Sequence, residues 1–421
     1  MSGRQRSVEV YIDVDGAGGP ARMGTLHTQS SGRQEVFSFE YAAEWLGSEA
    51  VFAFDPDLQL LEGAQYPAQS RSNFGIFLDS APDRWGRLLM QRRENLRARQ
   101  EERPARRLTE WDYLLGVHDE TRLGALRLRS LEGGEFLDSD RQWAAPPITS
   151  VRELQAASDG LERHIDDEQN PEYARWLNQL VAPGSSLGGA RPKASVRDET
   201  GDLCIAKFPS RADTRNMAAW EMLAHRLAAK CGIHLPQARL LESGEREKWT
   251  FLVKRFDRTT NGGRRAFVSA MTLTQRRDGE PGASYLELVE LLQRQGAETL
   301  GDTHQLFRRI VFSILIHNTD DHLRNHGFFI EERGLRLSPA YDMNPSVDGD
   351  DLTLAINETE TMCDVAIARA AHKMYALTLK EADGIIAEVE RAVKTWRDEA
   401  ETLRIRRSEQ DQMAAAFAAR V

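Results

Sequence analysis

Apolar residues alternate with other residues at Val8, Val10, Ile12 and Val14 and run into Asp15-Gly16, a pattern that predicts a half-buried strand closing in a turn. The alternation returns at Gly124-Ala125-Leu126-Arg127-Leu128-Arg129, so the first part of the chain is expected to mix short strands with helices. From Ser130 to Pro147 the text shifts to Gly, Asp, Ser and a Pro146-Pro147 pair, the composition of a connection. Ser150 with Glu153 spells a capping box, and Leu154, Leu161 and Ile165 recur on one helical face behind it. An apolar run from Leu203 to Phe208 predicts a strand, and the pattern Met217, Trp220, Glu221, Ala224, Ala228 predicts a helix that ends at Gly232. Leu235 to Leu241 and Trp249 to Val253 read as two further strands. Beyond Asp257 the periodicity is helical, strongest at Tyr285 to Leu292, His304 to Ile316 and Leu379 to Thr402.

These patterns divide the chain into an α+β part at 1–130, a strand-helix-strand-strand part at 131–258 and a helical part at 259–421. A length of 421 residues suits two or three domains, and 41% hydrophobic with 29% charged residues is the balance of a soluble globular protein. Cys204, Cys231 and Cys363 are few, odd in number and far apart, which fits neither a disulfide framework nor a zinc site and points to a reducing cytoplasm. The first residues carry no long apolar run and no later window approaches a membrane span, so neither secretion nor membrane insertion is expected. The arginine-rich stretch Arg92 to Arg107 is interrupted by Glu94, Glu101 and Glu102 and reads as a solvated helical face.

The most informative stretch is His317-Asn318-Thr319-Asp320-Asp321-His322-Leu323-Arg324-Asn325, after a helix whose Leu306, Ile310, Ile314 and Leu315 face a core. Asp320 and Asn325 stand five apart, the spacing at which a protein-kinase catalytic loop places an Asp on the substrate hydroxyl and an Asn on a metal. The His and Arg that usually precede that Asp are absent. Seventeen residues after Asn325, a strand-like Leu335-Arg336-Leu337 leads through Ser338-Pro339 to Tyr341-Asp342, a second carboxylate suited to Mg²⁺. Any one of these aspartates, taken singly, reads more readily as a turn or cap residue.

Upstream, Gly184-Ser185-Ser186-Leu187-Gly188-Gly189-Ala190-Arg191-Pro192-Lys193 is a glycine-rich loop before a strand. Its small residues leave backbone N–H groups open to phosphate and Lys193 adds a positive charge, although it matches neither a Walker A motif nor the usual kinase glycine loop. Lys207 sits near the end of the next strand, either as a phosphate-holding lysine or as an edge lysine reaching for solvent. Glu221 lies on the inward stripe of the following helix, where pairing with Lys207 would offset the cost of burial.

The order glycine loop, Lys, Glu, Asp-x₄-Asn, Asp resembles the HipA kinase family, as do Lys254-Arg255-Phe256-Asp257-Arg258, Ser338-Pro339-Ala340-Tyr341-Asp342 and, more loosely, Phe77-Leu78-Asp79-Ser80-Ala81-Pro82-Asp83-Arg84 and Gly124-Ala125-Leu126. The resemblance covers nearly the whole chain. It implies an α+β, bilobal protein-kinase-like fold related to lipid kinases, with an extra N-terminal α+β subdomain, a nucleotide-binding N-lobe and a mainly helical C-lobe. It implies a serine/threonine-protein kinase toxin that uses ATP and Mg²⁺, has targets such as aminoacyl-tRNA synthetases, and is neutralised by a helix-turn-helix antitoxin of the HipB kind that binds operator DNA.

Carried to this chain, the resemblance makes Asp320 the catalytic base and Asn325 and Asp342 the metal ligands. Gly188, Gly189, Ala190, Lys193, Lys207 and His322 become phosphate contacts, and Lys254 (through its backbone) and Phe256 the hinge at adenine. Glu221 becomes a structural ion-pair residue. Ser186, with Ser185 second, becomes an autophosphorylation site, the plain alternative being two small turn residues. A small-molecule kinase and a weakly active corepressor working through a DNA-binding antitoxin are the other readings of the same machinery. The net charge of -10 disfavours an extended phosphate-binding surface, so any operator contact is expected to be indirect. A gel shift with this chain alone is expected to show only weak binding to duplex DNA, and tight sequence-specific binding would contradict the expectation.

Overall fold

The computed structural model of the protein describes residues 5–418 apart from 32–33, 49–51, 83, 140–144, 165–169, 185–188, 190 and 243–248. It consists of two compact units, Met1–Ala212 with Ser243–Val268, and Asp213–Glu242 with Ser269–Val421. The expected boundary after residue 130 falls inside the first unit, and residues 213–242 of the expected middle part belong to the second.

The first unit opens with β1 (Arg6–Ile12), β2 (Ala21–Ser31) and β3 (Gln34–Tyr41), followed by helices α1 (Ala43–Leu46), α2 (Gly75–Asp79), α3 (Arg84–Gln100) and α4 (Glu110–Leu115) and by β4 (Leu126–Arg129). The strands form one antiparallel sheet in the order β3-β2-β1-β4. Its register sets Val8 opposite Leu26 and Leu26 opposite Phe39, so one face of the pleat is continuously apolar. Phe39 packs on Phe74 and Phe77 at centroid distances of 6.5 and 5.8 Å, closing a core in which each buried aromatic contributes about 1.5–3 kcal/mol.

The arginine-rich stretch is in part the solvated face expected for it, with Arg97, Arg99, Glu101, Glu102, Arg106 and Arg107 exposed. Arg92 and Glu94 are buried, and the chain doubles back after α3 so that Arg103 bonds Glu94 (2.6 Å) and Arg106 bonds Asp112 (2.7 Å). Charges that look solvent-directed along the helix are thus satisfied from the following turn.

α5 (Val151–Arg163) and α6 (Tyr173–Gly184) come next, packed so closely that a Cβ on Gly160 would lie 2.6 Å from the Trp176 ring. The capping box expected at Ser150 does not form. Ser150 is helical (φ -82°, ψ -4°) at the end of a 3₁₀ turn, Ile148–Ser150, and its side chain makes no cap hydrogen bond. An N-cap hydroxyl reaches the N3 amide from extended backbone, which this entry turn denies it. β5 (Lys193–Arg197) and β6 (Leu203–Lys207) then form an antiparallel hairpin. After β7 (Ala238–Glu242) in the second unit, β8 (Trp249–Lys254) returns to pair with β6.

β8 runs into the element that ties the first unit together. Asp257 is buried, and its carboxylate accepts from Arg255 Nε and Nη2 (2.8 and 2.6 Å), Arg258 Nη1 (2.6 Å) and the Gly124 N–H (2.8 Å). The two guanidinium groups continue to backbone oxygens, Arg255 to Thr121 (2.6 Å) and Arg258 to Arg122 (2.7 Å) and Glu120 (3.0 Å). Gly124 takes φ +70°, a left-handed conformation that costs glycine nothing. Burial works to raise the Asp257 carboxyl, but the paired Arg255 and Arg258 charges outweigh it and hold the group well below the usual carboxylate range.

The second unit is mainly helical. It contains α7 (Met217–Lys230) and β7, and is re-entered through β9 (Phe267–Ser269), which leads to α8 (Ala270–Leu273), α9 (Tyr285–Gln295) and α10 (Thr299–Leu315). The antiparallel hairpin β10 (Gly327–Glu331) and β11 (Gly334–Leu337) follows, then α11 (Val365–Ala370), α12 (Leu379–Val393), α13 (Trp396–Thr402) and α14 (Arg407–Gln412). α7 is capped by the Asn216 side chain on the Ala219 N–H and terminates before Gly232 at φ +72°. The helix expected over Leu379 to Thr402 breaks at Lys394-Thr395, and the turn lets Trp396 stack on Phe417 (4.4 Å) beside Trp220 of α7. Glu409 completes the contact by accepting from the Asn216 N–H and Trp220 Nε1.

Removing Asp257 leaves two buried guanidinium groups without a counter-charge, so Asp257→Ala is expected to lower stability by about 3–5 kcal/mol, read from urea denaturation. The contribution is present above the ordinary Asp value of about 4 and is lost as pH falls through the depressed folded-state value, so the variant is expected to have a flatter acid limb.

Candidate functional site

α10 carries Leu306, Ile310, Ile314 and Leu315 into the core, as its periodicity predicts, and ends in a Schellman turn. The Asn318 N–H bonds the Ser313 oxygen (2.8 Å) and the His317 N–H bonds the Ile314 oxygen (3.2 Å), with His317 left-handed at φ +48°. This turn aims the loop 318–325. Within it Asp320 is exposed and Asp321 is buried, although the two are consecutive. The Asn325 amide donates from Nδ2 to the Asp320 oxygen (3.1 Å), which leaves its Oδ1 as the accepting end. His322 is half-buried, and its backbone oxygen accepts from the Asn325 N–H (2.8 Å).

Asp342 is exposed and left-handed at φ +59°, beyond β11. Two hydrogen bonds bring it to the loop: Tyr341 OH donates to the Arg324 oxygen (2.7 Å), and the Asn344 N–H donates to Asn318 Oδ1 (3.1 Å). The segment of Asp342 therefore lies beside the loop that bears Asp320 and Asn325, within the second unit. Among the described residues no three His, Cys, Asp or Glu side chains gather as a metal cluster. One carboxylate and one amide oxygen fit a Mg²⁺ that arrives on phosphates, since this ion fills its other positions with phosphate and water.

Beneath the loop the Asp321 carboxylate accepts from Tyr285 OH (2.6 Å), Ser313 Oγ (3.3 Å) and His326 Nε2 (3.0 Å). Burial raises that carboxyl, but the His326 charge and the hydrogen bonds outweigh it and the group lies below its ordinary range. The Tyr285 hydroxyl is pushed well above 10, first by burial and then by the Asp321 charge. Asn318, Asp321, His326 and Tyr285 did not stand out in the sequence. The one signal was that Asp321 and His326 repeat the five-residue spacing of Asp320 and Asn325.

In the first unit Lys193 and Lys207 are direct cross-strand partners on β5 and β6, and Lys207 Nζ lies 5.9 Å from the Phe251 ring. Gly189 (φ +87°) accepts at its oxygen from the Trp85 N–H (3.3 Å), and Trp85 Nε1 donates to the Lys193 oxygen (3.0 Å), so α3 holds the far end of the glycine-rich loop. Ser185, Ser186, Gly188 and Ala190 lie outside the described residues. The Lys254 side chain is committed to Asp202 (2.5 Å), and Phe256 packs on Phe267 at 5.5 Å. Glu221 is half-buried on α7, in the second unit.

Fold and loop together define a class: an α+β chain whose helical unit ends a long buried helix in an Asp-x₄-Asn loop with a further Asp tethered beside it. Residues 185–396, about half of the chain, match the HipA-like C-terminal domain, and the chain belongs to that family. It is similar to "Toxin YjjJ" of Escherichia coli K12 (30% identity, 43% of each chain), to "Putative kinase Y4dM" of Sinorhizobium fredii (29%, 58% of this chain and 66% of that one) and to a "Putative kinase" of Haemophilus influenzae (27%, 44% and 62%). The chain thus spans 43 to 66% of the length of these relatives. In fold it matches a chain of the Shewanella oneidensis MR-1 toxin–antitoxin complex of HipA, HipB and operator DNA, with a TM-score of 0.63 and 17% identity over 97% of this chain and 94% of that one. The α+β fold is that of the HipA proteins.

Asn318 is expected to be needed to hold the Asp342 segment against the loop. Asn318→Ala removes the acceptor of the Asn344 N–H at a buried position and should lower stability by about 1–3 kcal/mol. Hydrogen exchange should show faster exchange at residues 342–346 and little change in α12.

Proposed function

We propose that the chain is an ATP- and Mg²⁺-dependent serine/threonine-protein kinase and the toxin of a toxin–antitoxin pair. The observation that carries this reading is the tether that sets the Asp342 segment beside the loop with the exposed Asp320 and the oriented Asn325 amide. Relatives named as putative kinases support it. Mg²⁺-bound ATP supplies the phosphoryl group and the positive charge that stabilises it during transfer. Asp320 orients the acceptor hydroxyl of a protein substrate, such as an aminoacyl-tRNA synthetase, and takes its proton.

Asn325 and Asp342 hold the metal. Lys193, Lys207, His322 and the backbone of Gly188, Gly189 and Ala190 hold phosphate, and the Lys254 backbone and Phe256 ring receive adenine. Glu221 supplies a structural ion-pair carboxylate. Ser186, or secondly Ser185, accepts a phosphate that competes with the nucleotide.

The partner in this reading is a helix-turn-helix antitoxin of the HipB kind that makes the operator contacts, a division supported by the net charge of -10. A cytoplasmic setting is supported by three cysteines that are all buried free thiols. No helix among the described residues is long and apolar enough to cross a membrane.

The test is incubation with Mg²⁺ and ATP, with and without host lysate, followed by phosphosite mapping. Asp320→Asn is expected to lower transfer by about 10²–10⁴-fold while calorimetry still detects ATP binding. Asp342→Asn should instead weaken ATP binding and flatten its Mg²⁺ dependence. Wild-type transfer by Asp320→Asn would overturn the reading.

A further inference from the structure

The buried triad Tyr285, Asp321 and His326 lies directly under the loop that bears Asp320 and Asn325. Asp321 follows Asp320, and His326 follows Asn325, so the bond from His326 Nε2 to Asp321 Oδ1 joins the two ends of the Asp-x₄-Asn segment (3.0 Å). Because an ionised carboxylate has only acceptors, the imidazole Nε2 must donate here. Tyr285 arrives from α9 and Ser313 from α10, so the same carboxylate also fastens the loop to two helices. The His326 backbone oxygen accepts from the Ala270 N–H at the start of α8 (2.9 Å), which fixes the ring's own chain. His326, Asp321 and Tyr285 are 3%, 4% and 0% exposed, so the clamp is shielded from water and its hydrogen bonds are strong.

We propose that Asp321 and His326, with Tyr285, are positioning residues that set the distance and orientation between the Asp320 carboxylate and the Asn325 amide. The carboxylate that faces outward is useful only while its neighbour faces inward: a backbone rotation that released Asp321 would carry Asp320 and the Asn325 to Asp320 hydrogen bond with it. The consequence for phosphoryl transfer rests on the kinase reading above. The mechanical claim, that the clamp holds the loop, stands by itself and has its own readout.

The test uses the full chain with Asp321→Asn, His326→Leu, His326→Gln and Tyr285→Phe, beside Asp320→Asn. A misplaced catalytic pair is expected to lower kcat about 10–100-fold in Asp321→Asn and His326→Leu. KM for ATP should rise only a few-fold, through the Asn325 amide that the clamp orients, because the contacts proposed for Asp342 and for the first unit are untouched. His326→Gln keeps an N–H donor for Asp321 and should recover part of kcat. Hydrogen exchange at residues 317–326 should rise in Asp321→Asn and His326→Leu, less in Tyr285→Phe, with the rest of the second unit protected.

Should Asp321→Asn fail to fold, Tyr285→Phe deletes one hydroxyl and carries the same comparison. Loop exchange equal to wild type in these variants overturns the clamp. An unchanged kcat in a preparation where Asp320→Asn is inactive overturns the positioning role and leaves the kinase reading standing. If the wild type transfers no phosphoryl group while loop exchange still rises in the variants, the kinase reading falls and the clamp stands.

Discussion

The buried Asp257 carboxylate is the constraint on which the first unit depends. An ionised group taken out of water is unfavourable unless its acceptor positions are filled, and here two guanidinium groups and a backbone amide fill them. Each donor then reaches a different stretch of chain. Arg255 and Arg258 engage the backbone around residues 120–122, and Gly124 introduces β4, so the strand that edges the N-terminal sheet is coupled to the segment that follows β8. Arg122 joins them: it is buried, burial pulls its guanidinium down to about 10, and it remains charged near neutrality with backbone oxygens of Leu114 and Val117 as acceptors.

This arrangement runs through Lys254-Arg255-Phe256-Asp257-Arg258. Arg255, Asp257 and Arg258 bond one another, and the Lys254 side chain bonds Asp202. The Phe256 ring between them is half-buried. The family match at residues 185–396 and the structural likeness over 97% of the chain at 17% identity fit the same principle. Packing tolerates replacement of apolar residues when volume and pattern are kept.

In the second unit the decisive contrast is between Asp320 and Asp321, identical side chains with opposite environments. The Schellman turn after α10 sets the direction of the loop, and the Asn318 side chain and Tyr341 hydroxyl bring the Asp342 segment to it. Left-handed conformations at His317 and Asp342 fall on residue types that tolerate them better than most, and hydrogen bonds flank each.

Local pattern was enough for much of the architecture. Alternation marked β1 and β4, the apolar stripe marked α10, Gly232 marked the end of α7, and the order of glycine loop, lysine, Asp-x₄-Asn and Asp342 marked the candidate chemistry. These features are legible because periodicity, turn conformation and motif spacing are properties of neighbouring residues. Tertiary structure decided the rest. It broke the helix at Lys394-Thr395 to stack Trp396 on Phe417, buried Arg92 and Glu94 in a stretch that reads as solvated, wound Ser150 into a 3₁₀ turn, and chose Asp320 over Asp321 as the outward carboxylate. In each case the outcome depends on a partner far away in sequence or on the path of the backbone. A polar side chain's burial is set by whether distant donors and acceptors reach it, and no window of adjacent residues contains that information.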